Sequence, residues 1–314
     1  MGSPTAMTRL RTVGATAVRF PATAMPALHA SCKQPLSVRW LHLLHDNADD
    51  RLHRWRQHAS ALIGGLRRSG RDAASIVVIE PAESQRATLA EAFGVQALAA
   101  ADARLAAAAT VVWAVKPQAF AGAAAPCAPF VGSALQVSVM AGVRCEALSR
   151  ASGSLRVVRT MPNTPALIGQ GIAGLYARPE VSAAQRAEVE ALFAPTGQTL
   201  WVEKENDLDA VTALSGSGPA YVFFFIEAMI QAGAEMGLGE SQARQLAQAT
   251  FAGAAALAQQ SPLSPAALRE QVTSKGGTTH AAITVLQASG VQKAFVTALH
   301  AARARAEELG QAGA

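Results

Sequence analysis

Between Ala59 and residue 206, short unbroken apolar runs alternate with stretches of helical spacing. The runs SIVVIE (75–80), TVVWAVKP (110–117), LQVSVMAG (135–142), LRVVRTMP (155–162), GIAGLYA (171–177) and TLWV (199–202) carry little polar alternation. That is the mark of strands covered on both faces. Between them, QRATLAEAF (85–93) ends at Gly94, and SAAQRAEVEALF precedes the last run, both with helical spacing. Strands alternating with helices predict an α/β fold with a Rossmann-like, doubly wound parallel sheet over residues 59–206. From Asp207 the pattern changes to Ala/Leu-rich periodic segments near 219–237, 241–259, 265–272, 279–288 and 291–309. Ser264-Pro265 gives a helix start, a cap followed by proline in the first turn. Residues 207–314 are therefore expected to form an all-helical domain.

The start of this pattern is abrupt. In RLHRWRQHASALIGG (51–65), the part from Ala59 looks like the first helix of a nucleotide-binding domain. Where a buried strand and a glycine turn should lead into it stand Arg51, His53, Arg54, Trp55, Arg56 and His58. Gly64 and Gly65 fall inside the helix and cannot replace the turn. The first strand is apparently replaced. Residues 1–45 contain no Asp or Glu and several arginines, as transit peptides do, but a presequence would precede an intact strand and not substitute for it. The genetic code offers another account. Read one base later, codons permitted for DDRLHRWRQH (49–58) can spell MTAFIGGGNM, running directly into ASALIGG. Residues 1–58 are accordingly expected to be a non-homologous segment, out of frame or disordered.

Charge supports the same division. The net charge of +5 lies entirely in residues 1–58, which hold eight Lys/Arg against three Asp/Glu, and five of the seven histidines lie there too. The remainder is balanced, so it offers no electrostatic case for a nucleic-acid partner. No stretch approaches 18 apolar residues without a charge, so no membrane span is expected. Cys32, Cys127 and Cys145 show neither pairing nor metal spacing, as suits a reducing, cytoplasmic setting.

In an open parallel sheet, ligands sit beyond the carboxyl ends of the strands. Ala114-Val115-Lys116-Pro117 ends one strand, and Met161-Pro162-Asn163-Thr164-Pro165 ends another, with two prolines fixing the loop. Leu214-Ser215-Gly216-Ser217-Gly218-Pro219-Ala220-Tyr221 opens the helical region with a turn that can expose backbone N–H groups. Val272-Thr273-Ser274-Lys275-Gly276-Gly277-Thr278-Thr279 places a glycine pair and four hydroxyls at a helix start. Free N–H groups and the positive helix end favour a small anion such as a carboxylate there.

AVKPQ, RTMPNTPALIGQGIAGLYA, ALSGSGPAY and VTSKGGTT, in this order, resemble pyrroline-5-carboxylate reductases from Ala59 nearly to the C-terminus. The resemblance implies reduction of 1-pyrroline-5-carboxylate to L-proline with NADPH or NADH, the last step of proline synthesis. It also implies a helical domain that makes a homodimer or higher homo-oligomer. It places the substrate on Val272, Ser274, Gly277, Thr278 and Thr279, with Ser274 at the carboxylate and the Thr279 hydroxyl at the ring nitrogen. Ala114, Lys116 and Pro117 would line the nicotinamide, and Asn163 would lie near the ribose or nicotinamide. Glu80 would suit a ribose hydroxyl, whereas Ser84 and Arg86 could meet a 2′-phosphate. Relatives often carry an acidic residue before the helix at Pro265, where this chain has Ser261-Pro262-Leu263-Ser264. A hydroxy-acid dehydrogenase of related fold would need a lysine base, for which Lys275 is the loop's one candidate. An inactive oligomeric relative is the other alternative, since the glycine turn is missing. Sequencing the gene across codons 45–62 checks the frame reading. Codons that spell the glycine turn one base later are expected, and codons that cannot do so exclude it.

Overall fold

The computed structural model describes residues 54–312, and most of the segment expected to be out of frame lies outside them. The first described element, α1 (Arg54–Arg68), begins five residues before the predicted boundary at Ala59. His58 is buried within it, so the end of the 1–58 segment is part of the folded body and not loosely attached. The apolar spacing of Ala59, Leu62, Ile63 and Leu66 accounts for this: it holds one helix face against the core, and the helix extends backward from that anchor.

The strands are β1 (Val77–Ile79), β2 (Gln96–Leu98), β3 (Thr110–Trp113), β4 (Leu135–Ser138), β5 (Val157–Met161), β6 (Gly171–Ala177) and β7 (Gly197–Trp201). α2 (Glu83–Phe93) lies between β1 and β2 and ends, as expected, on Gly94 in the left-handed region at φ 68°. α3 (Phe120–Ala124), α4 (Ala128–Val131) and α5 (Cys145–Ser152) flank β4, and α6 (Ala183–Phe193) crosses from β6 to β7. β2 was not apparent in the sequence, because only Leu98 of its three residues is buried.

The sheet departs from the expected all-parallel arrangement in two ways. β5 and β6 pair antiparallel. Only residues 162–170 separate them, fewer than the dozen or so that a parallel crossover needs. The second departure is a division: among the described residues β1 pairs only with β2, while β3 to β7 form a separate five-stranded sheet. Both sheets nevertheless belong to one layer. Val78 of β1 and Val112 of β3 share one core with α1 and α6. Val77, Ile79, Val111 and Trp113 share the core on the opposite face with Phe120, Val131 and Leu148. Among the described residues the orders β2-β1 and β3-β4-β5 follow a Rossmann-like arrangement.

The helical region follows on α7 (Asp207–Val211), a π-turn (Thr212–Gly216), α8 (Gly218–Glu235), α9 (Glu240–Gln260), α10 (Pro265–Gln271), α11 (Thr278–Ala288) and α12 (Val291–Ala312). Two glycines let its first turn approach the sheet. A Cβ on Gly174 would lie 2.6 Å from Val211 Cγ1, and one on Gly216 would lie 2.5 Å from Met161 Cε. Past this contact its core thins to small residues, Gly233, Ala243, Ala247 and Ala306, while Phe223, Phe224, Met229, Leu257 and Val285 stand exposed. The continuous helix Asp207–Glu235 is also long and apolar enough, by length and mean hydropathy, to cross a membrane. Asp207, Asp209, Glu227 and Glu235 interrupt the segment with acidic residues.

A polar junction fixes the helical region to the sheet. Glu205 Oε1 accepts from the Cys145 N–H at 2.7 Å and from Arg159 at 2.8 Å, while Arg144 reaches Asp209 at 2.8 Å. Burial pushes the Glu205 carboxyl up, but the Cys145 N–H and the Arg159 guanidinium outweigh it and hold it below the ordinary carboxylate range. Lowered on folding, it adds stability above the unfolded carboxylate value and loses it as pH falls through the folded one. Glu205→Gln is expected to cost about 2 kcal/mol at pH 7, as for hydrogen bonds to a charged group. The difference in melting temperature from the parent should narrow as pH falls through the range in which the folded carboxyl protonates, which thermal melts over a descending pH series check.

Candidate functional site at the carboxyl edge of the sheet

β3 and β5 run in one direction, so Ala114 to Pro117 and Asn163 lie beyond carboxyl ends on one edge, and Glu80 follows the carboxyl end of β1. The two short links differ in character. Pro117 starts a 3₁₀ turn after β3, which ends the strand and leaves Ala114 buried and Lys116 half-buried. Asn163 is buried: its Oδ1 accepts from the Ile172 N–H at 3.0 Å, and its carbonyl accepts from the Ala166 N–H. This holds the loop between the two prolines and leaves the carboxamide NH2 as the donor of that side chain.

Glu80 is fully buried at the end of β1, with Oε1 accepting from the Ala82 N–H at 2.8 Å. Arg86 donates to the Glu80 carbonyl at 2.9 Å and also reaches the Pro81 carbonyl, while Ser84 is exposed. The guanidinium is therefore held against the loop backbone and is not directed outward alone. Cys127 and Cys145 are buried free thiols, and burial pushes the Cys127 thiol up to about 12, so neither is a nucleophile at neutral pH.

A cavity of about 560 Å³ opens where this edge meets the helical region, with Asn163 and Pro165 on one side and Ser215, Pro219 and Tyr221 on the other. The Tyr221 hydroxyl donates to the Ala213 carbonyl at 3.2 Å, tying the first turns of α8 to the π-turn. Phe295 of α12 packs edge-on against Tyr221, at 5.6 Å between ring centroids. The turn residues were noticed in the sequence for their glycines. Phe251, Phe295 and Leu299 were not, since an aromatic at helical spacing reads as ordinary core.

The glycine corner lies elsewhere on the helical region. Gly276 adopts φ 76°, and Gly277 is the N-cap of α11 with no side chain capping it. A Cβ on Gly277 would lie 2.6 Å from Ser274 Oγ, so a side chain there would displace the Ser274 hydroxyl from the helix mouth. The four hydroxyls divide. Thr273 donates to the Arg269 carbonyl at 2.6 Å and serves the fold, whereas Ser274, Thr278 and Thr279 surround the helix mouth. Val272, Ser274 and Thr278 are exposed, and Gly277 and Thr279 are half-buried. The cavity walls include Asn163 but none of Val272, Ser274, Gly277, Thr278 and Thr279, nor Ala114, Lys116 and Pro117. The structure thus gathers the expected cofactor-side residues on one edge and leaves the expected substrate corner apart from the cavity.

Known proteins share this arrangement. Residues 205–309 match the family described as pyrroline-5-carboxylate reductase dimerisation, and residues 57–142 match the family described as NADP oxidoreductase, coenzyme F420-dependent. The pyrroline-5-carboxylate reductase of Pseudomonas aeruginosa is 44% identical over 255 residues, covering 81% of this chain and 93% of that protein. The chain belongs to the pyrroline-5-carboxylate reductase family. The Haemophilus influenzae reductase is 38% identical over 257 residues, covering 80% of this chain and 93% of that protein. The solved structure of the Coxiella burnetii reductase superimposes with a TM-score of 0.78 at 31% identity, covering 88% of this chain and 99% of that one. The family match over residues 205–309 accounts for the thin helical core: the region is a helical dimerisation domain, in which apolar side chains exposed in a single chain are expected.

Proposed function

We propose that this chain is built to reduce 1-pyrroline-5-carboxylate to L-proline, and that its weak point is the hold on the cofactor's pyrophosphate. The observation that carries the reading is the mouth of α11, where Gly277 caps without a side chain and Ser274, Thr278 and Thr279 stand around unclaimed helix N–H groups. A ring carboxylate fits that charge and size. Ser274 and the N–H groups near Thr278 hold the carboxylate, and the Thr279 hydroxyl hydrogen-bonds the ring nitrogen and orients the imine. Val272 gives the ring an apolar wall. Because the corner stands apart from the cavity beside Asn163, and the helical region is a dimerisation domain, the corner of one copy works against the strand-end edge of another.

The cofactor fits this chain unevenly. Glu80 at the end of β1 suits a ribose hydroxyl, and Ala114, Lys116, Pro117 and Asn163 suit the nicotinamide end. Arg86 is committed to backbone carbonyls, which favours NADH over NADPH. Among the described residues the middle of the cofactor meets no glycine turn: α1 begins with Arg54, Trp55 and Arg56, and the sequence has no glycine between Gly14 and Gly64. Reduced nicotinamide, when bound, supplies the hydride. The chain's own residues supply position, which is most of what this reaction asks of a protein.

Calorimetry with NADH and NADPH tests both halves of the reading. The chain as it stands is expected to bind either weakly, on the order of a hundredfold below a chain in which MTAFIGGGNM replaces residues 49–58. In that repaired chain, Gly277→Ala should abolish the response to proline and leave cofactor binding unchanged. A repaired chain that binds neither cofactor nor proline overturns the proposal, as does proline binding that ignores Gly277→Ala.

A further inference from the structure

β6 touches both sides of the cavity that opens between the sheet edge and the helical region. On one side, Asn163 continues the antiparallel register of β5 and β6, in which Met161 stands opposite Gly174, and so it stands opposite Ile172. Its Oδ1 accepts from the Ile172 N–H at 3.0 Å, which fastens the sheet-side wall to the strand. On the other side, two residues along, Gly174 meets Val211, the last residue of α7. The two attachments lie about 7 Å apart on one strand. Both walls are therefore placed by β6, and the distance between them depends on how close Val211 comes.

Val211 approaches this closely because Gly174 has no side chain. A Cβ there would lie 2.6 Å from Val211 Cγ1, 3.0 Å from Cγ2 and 3.3 Å from Cβ. Ordinary carbon contacts need about 3.5–4.0 Å, so the helix would have to retreat by roughly 1 Å. Rotation does not relieve the clash, because both methyls face the strand and a helical valine is confined to one χ1 well. Gly216 differs: its neighbour Met161 Cε is the free end of a flexible side chain that can move aside. The opening of α7 cannot follow the retreat, since Arg144 holds Asp209 at 2.8 Å and Arg159 holds Glu205 at 2.8 Å. A push at Val211 therefore swings the π-turn that follows. Ser215 donates to the Val211 carbonyl at 3.1 Å, and Tyr221 donates to the Ala213 carbonyl at 3.2 Å, so both cavity-lining side chains move with it.

We propose that Gly174 is a positioning residue. By meeting Val211 with no side chain of its own, it fixes how far Ser215 and Tyr221 stand from Asn163, and with that the room left for a substrate ring beside the nicotinamide. That room matters for the reductase function proposed above and rests on it, whereas the spacing of the walls stands on geometry alone. Neither Gly174 nor Val211 lines the cavity, so the pair acts through Ser215 and Tyr221. A displacement of about 1 Å at the reacting groups costs on the order of a hundredfold in rate.

The chain has two tyrosines, Tyr176 and Tyr221, so labelling with 3-fluorotyrosine gives two fluorine resonances, assigned with Tyr176→Phe. The fluorine neighbours the hydroxyl and reports the hydrogen bond from Tyr221 to the Ala213 carbonyl. In the full chain, Gly174→Ala is expected to shift the Tyr221 resonance, and adding Val211→Ala is expected to return it. Gly122→Ala, at a glycine with open space around it, should leave it in place. Should Gly174→Ala alone fail to fold, a folded double variant with the parent resonance supports the proposal. In the repaired chain, Gly174→Ala should lower kcat on the order of a hundredfold with KM for the cofactor unchanged, and the double variant should regain it. An unmoved Tyr221 resonance in folded Gly174→Ala overturns the proposal, as does a shift that persists in the double variant, a double variant that does not fold, or full kcat in the single variant. Absence of turnover in the unsubstituted repaired chain counts against the reductase function alone, and the fluorine resonances then decide the role of Gly174.

Discussion

A doubly wound sheet brings two hydrophobic cores together through the thickness of one strand, and the strands at the centre must be covered on both faces and both edges. In this protein that requirement falls on β1 and β3. Their side chains alternate between the core beneath α1 and α6 and the core around Phe120 and Leu148. Val77, Val78, Ile79 and Val111 to Trp113 are buried accordingly, and the residues that follow the two strands, Glu80 and Ala114 to Pro117, take their places from them. Folding asks only that such strands be apolar, whereas dinucleotide recognition also asks for a strand that ends in residues without side chains.

Much of this architecture could be read from the chain. Unbroken apolar runs such as TVVWAV and GIAGLYA located strands because burial on both faces removes the polar alternation that would confuse the assignment. Helix ends followed local chemistry, with Gly94 at one end of α2 and Ser264-Pro265 at the start of α10. Strand direction was not legible in composition. The reversal at β6 lay in the length of the preceding loop, which is too short for a crossover. β2 was invisible because it is three residues long and only Leu98 of them is buried. The start of α1 was not legible because the recognisable motif begins at Ala59, whereas the helix held by Leu62 and Ile63 extends back to Arg54.

The site was legible in parts and not as a whole. Glycines drew attention to the α11 mouth and to the turn before α8, and the structure gives each a steric reason in Ser274 and Met161. The sequence could not show that Thr273 belongs to the fold and not to the ligand, because that depends on the distance to the Arg269 carbonyl. Nor could it show the aromatic wall of Tyr221 and Phe295, whose residues are far apart in the chain and meet only through helix packing.

The alanines and glycine inside the helical region, Gly233, Ala243, Ala247 and Ala306, cover little surface, while its phenylalanines and valines look outward. An interior of this kind cannot hold its helices in place unaided. Association with another copy, as the match to a dimerisation family implies, adds to that region the buried apolar surface that its own interior lacks.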